Sequence, residues 1–179
     1  DCAAGNPTGA DTIVLPENGM FTLTEVQNTG DLGPNGLPWI GSAMTIEGNG
    51  SIIQRKESAP RFRIMAVGPK GNLTLNNVTI TGGYVEKYYY IGGGILNQGN
   101  VTINGATIVN NTAYSFDGDA YGGGIYNEGS ALIIDSVIAD NKALAYMGAI
   151  GAGISNSGDL IIRDSLISGN SSDSKYSTG

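Results

Sequence analysis

The chain has 179 residues, of which 29 are glycine, with 14% charged and 40% hydrophobic side chains and a formal net charge of −7. An acidic chain opposes a phosphate backbone and lacks the counterion release that drives nucleic-acid binding, so no nucleic-acid partner is expected. The sequence has no histidine, which removes imidazole chemistry and His-ligated metals; its single cysteine, Cys2, gives no disulfide framework, and no apolar run reaches membrane-spanning length.

From the N-terminus, the segments DTIVLPENGMFTLT (11–24) and SAMTIEGNGSIIQ (42–54) carry short apolar runs broken by turn residues. Met44 and Ile46 precede a Gly48-Asn49-Gly50 turn, after which Ile52 and Ile53 resume the pattern, as expected of strands joined by tight bends. Two or three imperfect coils are expected over the irregular part, residues 1–70. Pro34-Asn35-Gly36 and Leu37-Pro38-Trp39-Ile40 read as a connecting loop, where no ladder needs the missing proline N–H. Arg55, Lys56, Arg61 and Arg63 form the only basic cluster, expected on a solvated loop edge.

Over residues 71–179 the sequence repeats. Gly92-Gly93-Gly94-Ile95-Leu96-Asn97-Gln98-Gly99 returns from Gly122 to Gly129 and again from Gly151 to Gly158, at spacings of 30 and 29 residues. Between these blocks LTLNNVTITGG (73–83), VTINGATIVNN (101–111), ALIIDSVIADN (131–141) and LIIRDSLISGN (160–170) also align. Leu75, Ile103, Ile133 and Ile162 fall in one column, and Ile80, Ile108, Ile138 and Ile167 in another; Leu73, Val101, Ala131 and Leu160 make a third. Apolar, often β-branched residues at spacing two describe strands with alternate side chains inward, and a period near 30 describes stacked coils. The bends fall at or near Asn76-Asn77, Asn104-Gly105, Ile134-Asp135 and Arg163-Asp164, residue types that tolerate left-handed backbone. Columns Asn97, Asn127, Asn156 and Asn111, Asn141, Asn170 predict side-chain amide ladders. The expected fold is all-β: one right-handed, single-stranded parallel β-helix over 1–179, with coils of about 29–30 residues, read as a fragment of a longer chain.

The block GGGIYN, followed by a short apolar strand and a D-S-x-I-x-x-N segment, resembles the repeats of bacterial secreted β-helix proteins of the pectate-lyase-like superfamily. These include choice-of-anchor and polymorphic-outer-membrane-protein-like surface polypeptides. The N-terminal GADTIVLP, with FTLT and MTIEGNG, resembles the opening coils of the same group, so the resemblance spans nearly the whole chain. It implies a secreted or cell-surface location, and a family that mixes adhesins with glycan-active enzymes.

Residues beyond the needs of the strands fall at one phase of the repeat: Tyr84 to Ile91, Ala113 to Tyr121, Ala143 to Ile150, and Ser171 onward. Insertions at one phase stack into one face. Eight of the nine tyrosines lie there. Tyr84, Tyr88, Tyr89, Tyr90, Tyr114, Tyr121 and Tyr146, with Asp117 and Asp119, are the candidate ligand-binding residues, because sugar rings lay apolar faces on aromatic rings while hydroxyls meet carboxylates. The same tyrosines could instead pack on one another as a stiff flank. Asp117-Gly118-Asp119 offers oxygens to a structural calcium ion, but two loop carboxylates do not specify a site, and no cofactor or metal is otherwise expected. Asp135 and Asp164 share a column beside Arg163, where turn chemistry accounts for them without catalysis, and no catalytic set is assigned. The expected function is a non-catalytic scaffold for adhesion, glycan contact or surface assembly. Its expected partners are a polysaccharide, a surface protein or, end to end, a second copy. The alternative is a fragment of a polysaccharide lyase or glycoside hydrolase.

Overall fold

The computed structural model describes residues 10–30, 32–86 and 91–175, and every regular element among them is a β-strand. The strands stack in parallel as a β-solenoid of about five turns. Asn100–Asn104, Thr107–Val109, Thr112–Tyr114, Ala120–Tyr121 and Ile125–Asn127 form one coil; Ser130–Ile134, Val137–Ala139, Lys142–Ala145, Ala149–Ile150 and Ile154–Asn156 form the next. Each strand pairs with its counterpart one repeat away: Asn100 with Ser130, Thr107 with Val137, Thr112 with Lys142, Ala120 with Ala149 and Ile125 with Ile154. The three apolar columns read from the sequence are Cα-partner columns in these ladders.

Alternation puts every second side chain inside, where it lies on its own equivalents in the neighbouring coils. Leu75, Ile80, Ile103, Ile108, Ile133 and Ile138 are all completely buried. In the last described coil Ile162 and Ile167 are 37% and 47% exposed, because no later coil among the described residues covers them.

Left-handed residues recur at three phases and turn the chain from one face to the next. They are Asn77, Gly105, Asp135 and Asp164 at the first, Gly82, Asn110, Asp140 and Gly169 at the second, and Gly92, Gly122 and Gly151 at the third. Asn and Asp serve at the first two because their short polar side chains tolerate positive φ. The third is glycine in each coil, where a Cβ on Gly122 would fall on the Ile125 carbonyl oxygen.

Two internal amide ladders fasten these corners. Asn97 donates through Nδ2 to Asn127 Oδ1 at 2.6 Å, and Asn127 donates in the same way to Asn156 at 2.6 Å. In the second ladder Asn111 donates to Asn141 and Asn141 to Asn170, each at 3.0 Å. The amides also close the turns, since Asn127 donates to the carbonyls of Gly129 and Asp159 and Asn141 to that of Ile108. Asn97, Asn127, Asn111 and Asn141 are fully buried, so each bond replaces water that the interior does not supply.

The N-terminal part obeys the same geometry less regularly. Asp11–Val14 and Met20–Leu23 both pair with the long strand Ala43–Arg55, which pairs with Asn72–Thr81 through a register shift between Glu47 and Ser51. The segment expected as loop from Pro34 contains a short strand, Gly33–Asn35, antiparallel to Asn28–Gly30.

The basic cluster is corrected by the structure. Arg63 is completely buried: its guanidinium donates to the carbonyls of Leu32, Ile91 and Gly92 and to Asn35 Oδ1, at 2.7 to 3.1 Å. Burial lowers its pKa to about 9, so it stays a cation at neutral pH. Arg55 donates to the carbonyls of Gly82, Lys56, Glu57 and Ala59, its pKa lowered first by burial and then by Arg61. These arginines bind stray backbone carbonyls where the coils are irregular, and Arg61, paired with Glu86, and Lys56 are the exposed members.

Asn127→Ala should cost about 2–4 kcal/mol, because it strands several buried groups at once, whereas Asn104→Ala, on an exposed ladder bond of 3.3 Å, should cost about 1 kcal/mol or less. Thermal melting followed by circular dichroism checks this, with the larger fall expected for Asn127→Ala.

Candidate functional site

The insertions at one phase of the repeat do stack into one flank. Thr112–Tyr114 pairs on one side with Tyr84–Glu86 and on the other with Lys142–Leu144, and Lys142–Ala145 pairs with Ser171–Ser174. Glu86, Tyr114, Leu144 and Asp173 therefore form one outward column. The ladder continues one residue past the strands, since Tyr146 N donates to Ser115 O at 3.0 Å and Lys175 N to Ala145 O at 3.1 Å. Phe116, Tyr146 and Lys175 form a second outward column, separated from the first by the buried Ser115 and Ala145.

Between these columns runs a groove of about 620 Å³, parallel to the solenoid axis. Tyr114, Leu144 and Asp173 make one wall, Phe116, Tyr146 and Lys175 the other, and Ser115 and Ala145 the floor. Phe116 is 46% and Tyr146 41% exposed, so aromatic surface faces the solvent. The Lys175 ammonium lies 5.7 Å from the Tyr146 ring centroid and backs that ring.

The loops behind the groove are zipped together. Gly118 N donates to Ser115 Oγ at 2.8 Å, Met147 N to Gly118 O at 3.1 Å, and Ala120 N to Gly148 O at 2.8 Å. Asp119 does most to hold them: Oδ1 accepts from Gly148 N of the next coil at 2.7 Å, and Oδ2 from the Tyr121 hydroxyl at 2.9 Å. The Tyr121 ring meets Tyr126 edge to face at 6.1 Å between centroids. Both carboxylate oxygens of Asp119 are thus engaged, Oδ1 across to the loop of the next coil and Oδ2 within its own loop. Among the described residues no cluster of three or more Cys, Asp or Glu is placed to hold a metal ion.

The candidate tyrosines therefore separate into different environments. Tyr114 and Tyr146 line the groove. Tyr121 belongs to the brace behind it, and Tyr84 lies one coil earlier, its ring centroid 4.6 Å from the Arg61 guanidinium carbon and 5.9 Å from that of Arg55. Asp117 is exposed on the loop between Phe116 and Gly118. Tyr88, Tyr89 and Tyr90 lie outside the described residues. Phe116, Leu144, Asp173 and Lys175 were not singled out from the sequence. Carrying the repeat alignment five residues further, so that Ala113-Tyr114-Ser115-Phe116 lies over Ala143-Leu144-Ala145-Tyr146 and Ser172-Asp173-Ser174-Lys175, brings all four into the columns.

The Tyr121 hydroxyl should titrate above the ordinary tyrosine range, first because it donates to Asp119 and then because of burial. The sign follows: the neutral phenol keeps its bond, so its stabilising contribution is complete below about pH 10 and is lost as pH rises through the raised pKa. Ultraviolet titration of the phenolates should show Tyr121 and Tyr126, the latter raised first by burial, titrating above the ordinary range, and the Tyr121 component should move toward the ordinary value in Asp119→Asn. An unchanged titration in that variant would contradict the assignment.

No known protein family, no curated protein and no solved structure matches the chain.

Proposed function

We propose that the chain is a non-catalytic scaffold of an extracellular or cell-surface protein, and that it holds a polysaccharide along its aromatic flank. The groove carries this reading. It spans three successive coils and is lined by two tyrosines and a phenylalanine with Asp173 and Lys175 at one end, a mixture suited to sugar rings and their hydroxyls. The resemblance of the GGGIYN repeats to secreted β-helix proteins of the pectate-lyase-like superfamily supports an external location and a glycan ligand.

A binding role fits the groove better than hydrolysis. A glycosidase places two carboxyl groups about the scissile bond, and among the described residues Asp173 is the one carboxylate lining the groove. Asp135 and Asp164 sit at left-handed corners, where their side chains suit the backbone turn. The zipped loops favour binding for another reason: walls that are already ordered lose little conformational freedom when a ligand arrives.

Co-sedimentation with a panel of insoluble polysaccharides tests the proposal. The chain should pellet with at least one polymer and release no new reducing ends or unsaturated products. The pair Tyr114→Ala/Tyr146→Ala should reduce binding by about tenfold or more, with the circular dichroism spectrum unchanged. Failure to pellet with any polymer, or binding untouched by the double substitution, would contradict it.

A further inference from the structure

We infer that the groove takes an uncharged polymer of β-linked pyranose rings lying parallel to the solenoid axis, with one ring seated per coil. This rests on the glycan reading above and extends it to the geometry and charge of the ligand.

The first argument is one of matching periods. Because the coils stack in register, each wall position recurs once per coil, about 4.8 Å along the axis. An extended β-linked pyranose chain advances by about the same length per ring. A ring seated against Phe116 therefore brings its neighbour to Tyr146, and the next to the Asp173/Lys175 step, where hydroxyls find an acceptor and a donor. A ligand lying across the axis would meet only one step of each wall.

The second argument separates sugar from peptide. Extended peptides bind sheets by pairing with a free strand edge. Thr112–Tyr114, the strand leading into the groove, has both edges occupied, by Tyr84–Glu86 and by Lys142–Leu144. At this step the groove offers side chains and no unpaired strand edge, which suits ring faces and hydroxyls; at its Asp173 end the strand Ser171–Ser174 pairs on one side only among the described residues.

The third argument is charge. Asp173 and Lys175 oppose each other within a single coil, and Glu86 continues the Asp173 column at the other end. The chain as a whole carries −7. A polyuronide would set a carboxylate on each ring against this field, whereas an uncharged chain meets no such opposition.

The test is calorimetric titration of the full chain with β-1,4-linked gluco-oligosaccharides of two to six rings and with oligogalacturonates of the same lengths. Affinity for the neutral series should rise about three- to tenfold per ring up to three or four rings and then level off, with the acidic series weaker throughout. Phe116→Ala should remove about one ring's worth of that rise, and Phe116→Trp, which keeps a stacking platform, should restore it. Affinity that does not grow with length, or a preference for the acidic series, would overturn this inference while binding in the polymer panel left the broader reading standing. Absence of binding to every oligosaccharide and every polymer would overturn both.

Discussion

Everything in this molecule depends on a single constraint: each coil must lie on the last in register, so that every side chain meets its own equivalent. One coil cannot bury its inner face, because its alternating side chains point into a space that only neighbouring coils can close. Stacked at one fixed phase, Leu75, Ile103, Ile133 and Ile162 become a continuous apolar column, and so do Ile80, Ile108, Ile138 and Ile167. A slip of one residue would turn each strand inside out. The asparagine ladders reinforce the phase, since Asn127 reaches its partners in both neighbouring coils only when the repeat is counted correctly.

The same constraint builds the groove. Extra residues inserted at a single phase do not scatter over the surface; they accumulate on one flank and are forced into rows. Tyr114 and Phe116 stand on either side of the buried Ser115, and the next coil repeats the arrangement with Leu144, Ala145 and Tyr146. Asp119 then joins successive loops by accepting the Gly148 N–H, so the flank has the order of the strands although much of it lies outside them. A periodic surface of this kind suits a periodic ligand, whereas a compact ligand would use one step of it.

Much of the fold was legible because a repeat advertises its own alignment. The apolar columns, the asparagine ladders and the corners at Asn77, Gly105, Asp135 and Asp164 all follow from lining up four copies of one pattern. The unread parts lie where the pattern stops. Arg63 looked like a surface charge because its neighbours in sequence are basic, yet it is buried against carbonyls contributed by Leu32, Ile91 and Gly92, which no local pattern connects. Asp119 looked like a ligand-binding carboxylate because it lies in a polar loop, and its bond to Gly148 crosses to the next coil. Lys175 and Asp173 have no aromatic character to draw the eye, and only their register with Tyr146 and Leu144 gives them a place in the groove. The Asn28–Asn35 hairpin was missed for the opposite reason: its strands are only three residues each and antiparallel, whereas every other strand pairing among the described residues is parallel.

The register is accordingly the quantity to measure. Tyr114 and Leu144 are Cα partners and both line the groove, so cysteines at these two positions, with Cys2 replaced by serine, should form a disulfide on mild oxidation, since neighbouring coils about 4.8 Å apart fall within the span of that bond. The pair Tyr114→Cys/Ala143→Cys, one residue out of step and pointing to opposite faces, should remain reduced under the same conditions. Cross-linking of the first pair alone is the result this account predicts. Cross-linking of the second pair in place of the first would mean that the coils are stacked in another register, and that the core columns and the groove walls do not exist as described.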